Sequence, residues 1–165
     1  MTEYYSGDVQ VNSSDLEEIK KYMKQIAVSS TESLGRLDNL TPAAIARYQA
    51  DTDDYINSVL STVYRTPLVK SGSLWPPPIT RIAQKLTAYE IVAAEFSEIE
   101  PNLSQIAINK KAEVEAELAQ LVDGIAAGSR RLTGQYLMAR NNYVRAEPAP
   151  RPIPTAAPTS GGDGV

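Results

Sequence analysis

The chain has no cysteine and no histidine among its 165 residues. Disulfides, thiolate chemistry and Cys/His zinc sites are therefore excluded. Without a histidine base there is no Ser-His-Asp or Cys-His catalysis. No run of about 18 apolar residues is present to span a bilayer as a helix. The first ten residues, MTEYYSGDVQ, lack the basic start and apolar run of a secretory signal. Positive charge is also in deficit. The net charge of −4 argues against wrapping nucleic acid by phosphate neutralisation, although an acidic wall would let DNA slide past without sticking. These absences point to a soluble protein made inside a cell, with no membrane partner. Its length suffices for one domain with a core.

What is present is helical periodicity. Three prolines at 76–78 open a stretch in which Ile79, Ile82, Leu86, Tyr89, Ala93 and Phe96 recur at three-four spacing. That is one continuous stripe over about five turns. Ala83, Ala88 and Ala94 widen it with small residues, so the spacing predicts a central helix over 76–96 with partners on more than one side.

Upstream, Ser14 and Glu17 form a capping box. Leu16, Ile19, Tyr22, Met23 and Ile26 follow as a stripe, which predicts a helix over 15–28 and a polar loop over 29–39. Before it, residues 1–12 carry Tyr4 and Tyr5 in a polar tail. They read either as a disordered start or as an arm whose aromatics dock on a neighbour. Thr41-Pro42 starts another helix. It is predicted to reach residue 64 or 65, where Thr66-Pro67 stops it. Asp51, Asp53 and Asp54 lie inside it without the glycine turn or closing glutamate of a calcium loop. They are read as a solvated face, or as acids facing a partner or a channel. The 66–78 connection is apolar for a loop, with Trp75 placed to close the end of the core or to anchor an interface.

Pro101-Asn102 is read as a break. A last helix, starting near 104 or 110, is predicted to run to 127 on the stripe Val114, Leu118, Leu121, Val122 and Ile125. Glu113, Glu115 and Glu117 line its outer faces, and Gly128 provides the stop. From 129 to 145 the character changes. Arg130, Arg131, Arg140 and Arg145 are interleaved with Tyr136 and Tyr143, and there is no acid. Such a segment suits an arm docking on an acidic protein surface, a further element closing the bundle, or nucleic-acid binding. Residues 146–165 hold five of the eleven prolines and three of the nine glycines, which suits an extended tail and not a core.

No catalytic constellation and no phosphate-cradling glycine loop is found, so neither an enzyme nor a bound cofactor or metal is expected. The expected fold is all-α. It is a four-to-five-helix bundle over 14–132, with an extended N-terminal segment over 1–13 and a long Pro/Ala/Gly-rich C-terminal arm over 133–165.

The order of the pieces DLEEIKKYM, AAIARYQADTDDYINSVLSTVYRTPL, PPPITRIAQKLTAYEI and AEVEAELAQLVDGIAAGSRRL resembles the small head–tail connector, or head-completion adaptor, proteins of tailed bacteriophages, particularly the Mu-like branch. The similarity rests most on Tyr64-Arg65-Thr66-Pro67-Leu68, on Ala88-Tyr89, and on 121–132 with Ile125-Ala126-Ala127-Gly128. It covers roughly residues 14–132. The resemblance implies a structural virion protein, made in the host cytoplasm. It would form a homo-oligomeric ring, a dodecamer matching the portal, that joins the phage head to the neck and tail. The implied partners are other copies of the chain, the portal protein and a neck, stopper or tail-terminator protein. DNA would pass through the ring without specific binding. On this expectation Trp75, Arg130, Arg131, Tyr136, Arg140, Tyr143 and Arg145 dock partners. Asp51, Asp53, Asp54, Glu113, Glu115 and Glu117 face the channel. The other expectation is a small helical regulatory or chaperone module that binds one protein partner.

Overall fold

In a computed structural model, the described residues are 4–6, 13–26, 35–37, 39–71 and 74–138. The fold is all-α. Four helices carry it: α1 (Ser13–Ile26), α2 (Pro42–Leu60), α3 (Pro77–Glu95) and α4 (Pro101–Ala126). Helix α3 packs against each of the other three. Helices α1 and α2 each pack on α3 and α4 but not on one another, so they flank the α3–α4 hairpin.

The central place of α3 follows from its composition. Ile79, Ile82, Leu86, Tyr89 and Phe96 are buried as the stripe requires, and Ala83, Gln84, Thr87, Ala88, Ile91 and Val92 are buried as well. Those positions take in most of the helix circumference, the pattern of a helix surrounded by others. Two polar residues in it bond to distant parts of the chain. Thr87 Oγ1 donates to Thr52 Oγ1 at 3.3 Å, and Gln84 Nε2 donates to the Ser6 carbonyl at 3.4 Å.

Helix ends follow local chemistry, with some departures from expectation: α1 begins at Ser13, so Ser14 lies within the helix and not at its cap. Thr41 caps α2 by accepting from Ala44 N at 3.2 Å, and Pro42 takes the first helical position. Helix α2 stops at Leu60, short of the expected 64 or 65. The Ser61 and Thr62 hydroxyls bond back to Ser58 O at 2.7 Å and Val59 O at 3.1 Å, and the chain turns out so that Tyr64 can pair with Leu137. Pro101 begins α4 instead of breaking it: at N1 its missing N–H would be unpaired in any case. Ser104 Oγ then ties α4 to the Ala93 carbonyl of α3 at 2.7 Å. Finally, the expected loop over 29–39 contains a helical turn at 35–37 that buries Leu37. Arg36 there approaches Glu95 at 3.7 Å.

The C-terminus of α4 is a Schellman stop. Ser129 N donates to Gly124 O and Gly128 N to Ile125 O, both at 2.9 Å. Gly128 supplies the required φ of 77°.

Candidate docking surface

One end of the bundle gathers segments far apart in sequence. These are the turn after α2, the 66–76 connection, the end of α4, the N-terminal Tyr5 and Ser6, and a C-terminal strap at 131–138. Gln49, Asp53 and Asn57 recur at i, i+4 and share one face of α2. The N-terminal segment sits on that face. The Tyr5 backbone N–H donates to Asp53 Oδ2 at 2.9 Å, and the Tyr5 hydroxyl donates to Asn57 Oδ1 at 2.6 Å. Gln49 Nε2 donates to Ser6 Oγ at 2.6 Å. The Tyr5 hydroxyl also accepts from Leu68 N at 2.8 Å, so one phenol joins α2 to the connection after it.

Tyr5 is 2% exposed and meets Trp75 edge-on, with ring centroids 4.8 Å apart. It is therefore neither a disordered start nor an aromatic held out for a neighbour. Trp75 is half-buried against the core, with Lys70 Nζ 5.1 Å above its ring. It closes the end of the core while keeping part of its surface open.

Asp53 does not belong to a solvated acidic face. It is largely withdrawn from water beneath residues 5 and 6, and its Oδ1 has no hydrogen-bond partner among the described residues. Burial pushes its carboxyl up to about 7. The Tyr5 N–H works against that rise, and the Asp54 charge adds to it. Asp51 and Asp54 are exposed as expected. The helix wheel places Asp53 beside Gln49 and Asn57 and not beside its sequence neighbours, and the tertiary cover decides the rest.

The three glutamates of α4 do not form a bare acidic wall. Glu113 pairs with Lys110 at 2.7 Å. Glu115 lies 3.9 Å from Lys111, which also pairs with Glu90. Glu117 lies 2.9 Å from Lys85 and 3.8 Å from Arg81. Asp51 and Glu115 border one cleft of about 130 Å³ with Tyr55, Glu90 and Lys111.

The strap at 131–138 is bound to the body by its backbone. Leu132 N donates to the Tyr64 hydroxyl at 2.8 Å. Arg65 N donates to Tyr136 O at 3.0 Å, and Met138 N donates to Val63 O at 2.9 Å. The Gln135 side chain acts as a substitute peptide group, accepting from Val69 N at 2.8 Å and donating to Val69 O at 2.6 Å. The start of the basic segment is thus part of this molecule's own fold, and its side chains are what remain for others. Arg130 and Arg131 are exposed and make no ion pair among the described residues. Tyr136 is 67% exposed. Leu137 and Met138, with Val63 and Ile125, line a groove of about 610 Å³. A second groove of about 340 Å³ lies between Leu74, Trp75, the three prolines and Leu132. Arg131 borders both. Arg140, Tyr143 and Arg145 lie outside the described residues.

The chain matches no protein-family model, no curated protein and no solved structure.

Among the described residues no group of three acids could hold a metal ion, and no helix is long and apolar enough to cross a membrane. Among the described residues this end of the bundle combines apolar grooves, guanidinium groups without an ion pair and a half-buried indole, the combination favoured where proteins meet. Of the residues singled out in the sequence, Trp75, Arg130, Arg131 and Tyr136 lie at this end; Tyr5 stood out there only as a disordered start or an arm for a neighbour, Tyr64 only as part of a motif, and Gln135 not at all. The i, i+4 polar strip of α2 was the signal for Tyr5. Nothing local marks Gln135, whose partner lies 66 residues away.

Proposed function

We propose that the chain is a structural protein of a phage virion. Copies would assemble into a ring beneath the portal, join the head to the neck and tail, and continue the DNA channel. One observation carries the reading: the C-terminal strap, anchored by its backbone, presents arginines and apolar side chains at one end of an all-α bundle. A free monomer has no use for that face, whereas a protein held between two others does. The bundle would pack side by side with further copies, and the strap face would seat on the portal or on a neighbouring subunit. The chain performs assembly, not turnover. Asp51 and Asp54 remain the exposed acids suited to a channel wall, and Asp53 is withdrawn from that role.

Replacing Arg130 and Arg131 by glutamate should abolish association with the portal while leaving the far-ultraviolet circular dichroism unchanged. A decisive experiment is affinity recovery of the tagged chain from its native source, with co-purifying proteins identified by mass spectrometry. Recovery of a large portal protein with capsid or tail components supports the connector role. Recovery of one cellular enzyme or regulator, and no virion protein, would replace it with a helical regulatory or chaperone module using the same face.

A further inference from the structure

The groove beside Trp75 is apolar and rich in hydrogen-bond donors. It holds about 340 Å³ and is lined by Leu74, Trp75 and the prolines 76–78 from the connection, and by residues 131–133 from the strap. Leu74 is 70% exposed, and Pro77 and Pro78 are exposed as well. Among the described residues the indole N–H of Trp75 has no acceptor and the Arg131 guanidinium has no ion pair. The Ser71 and Thr133 hydroxyls belong to the same groove. A segment suited to it is apolar and brings carbonyl acceptors, with few N–H groups of its own to leave unpaired.

Residues 147–154, EPAPRPIP, have that character. Four of the eight are prolines, which carry no N–H. Such a run favours a polyproline II helix, whose carbonyls make no internal hydrogen bonds. With three residues per turn, Ala149 and Pro152 share one row, and Pro150 and Ile153 share the next. Arg151 falls on the third row with Pro148 and Pro154. Two adjacent apolar rows therefore face one way and the cation faces another. Glu147, at the start of the run, has the sign opposite to Arg131.

We propose that residues 147–154 dock in the Trp75 groove of their own chain. The two apolar rows lie against Leu74, Trp75 and the prolines, a tail carbonyl accepts from the indole N–H, and Glu147 sits beside Arg131. The chain is long enough. Met138 is five positions after Thr133 and so within about 18 Å of the groove. The nine further positions to Glu147 span up to about 30 Å. A short tether supplies an effective concentration of about 1 mM, so a free-peptide Kd of about 0.1 mM keeps the groove about nine-tenths filled. The preformed helix has little entropy left to lose on docking, the same reason that proline-rich segments suit aromatic-lined grooves generally. The inference needs neither a ring nor a portal. Any partner that seats on this groove must first displace the tail.

Trp75 is the single tryptophan, so its emission and its one indole N–H resonance report on the groove. Pro150→Asp with Ile153→Asp, made in the full chain, charges one apolar row. This double variant should emit at longer wavelength than the parent, be quenched more readily by acrylamide and show a displaced indole resonance, with unchanged far-ultraviolet circular dichroism. Arg151→Ala, on the outward row, should match the parent. A peptide of residues 147–154 added to the double variant should return emission and resonance to the parental positions, with half its effect at about 0.1 mM. Arg131→Glu in the double variant should weaken the peptide roughly two- to fivefold, and a peptide carrying Glu147→Arg should recover the loss.

Identical emission, quenching and indole resonance in the parent and the double variant would overturn the proposal. So would the absence of any response to the peptide up to about 5 mM. A parental signal that moves to that of the double variant on dilution would place the segment in the groove of a second copy, and would overturn docking within one chain.

Discussion

Replacing Asp53 by asparagine should change how stability depends on pH. In the folded protein the Asp53 carboxyl titrates at about 7, against an ordinary value of 3.8, because burial disfavours its charge. Between those values the folded state holds a proton that the unfolded state has released. Stability therefore falls as pH rises through this window, at up to about 1.4 kcal/mol per pH unit, and is level above it. Summed over the window, ionising this one group costs about 4 kcal/mol. Asparagine keeps an oxygen for the Tyr5 N–H and cannot ionise. It also places an amide near the position where Oδ1 has no partner, at a cost of about 1–3 kcal/mol that does not vary with pH. The difference in unfolding free energy between variant and parent should thus shift by about 4 kcal/mol in the variant's favour from pH 4 to pH 8. Urea unfolding followed by circular dichroism at half-unit intervals measures it. Titrations of groups that do not interact with Asp53 cancel in the difference. Parallel pH profiles for the two proteins would refute the burial of Asp53 beneath the N-terminal segment.

Tyr5→Phe keeps the edge-on contact with Trp75 but leaves Leu68 N and Asn57 Oδ1 without their partner, and should cost about 1–3 kcal/mol in urea unfolding. Deleting residues 1–6 should go further and shift the emission of the single tryptophan to longer wavelength; unchanged fluorescence would mean that Tyr5 does not cover Trp75. Gly124→Ala should stabilise by up to about 1 kcal/mol. Its new Cβ would meet the Arg130 stem at 3.0 Å and 3.2 Å and the Ser129 hydroxyl at 3.4 Å; the closest of these belong to an exposed, flexible arginine that can yield. Gly128→Ala should instead destabilise by about 1 kcal/mol, because its φ of 77° disfavours a side chain; thermal melts of the two variants should move in opposite directions. Gln135→Ala removes both bonds to Val69 and should speed amide hydrogen exchange at Val69 while leaving the amides of α3 protected.

The sequence by itself determined where helices form and that one of them is central. Periodicity, proline placement and capping are local, and a stripe such as Ile79 to Phe96 acts the same way whatever surrounds it. The Gly128 stop was legible for the same reason. Even local signals can be misweighed. A proline at 101 reads as a breaker until its place at the first helical position shows that it has no hydrogen bond to lose. Only the tertiary structure decided what covers what. Asp53 looks like its neighbours Asp51 and Asp54 in a linear reading, and it is set apart because residues 5 and 6 return across 48 positions to lie on it. Tyr64 and Gln135 became fastening points because two irregular segments, 68 and 66 residues away from their partners, meet at the end of the bundle. Long-range pairing of this kind leaves no period in the sequence. Its gain comes from satisfying backbone groups that the helices leave over, and those groups become neighbours only once the helices have packed.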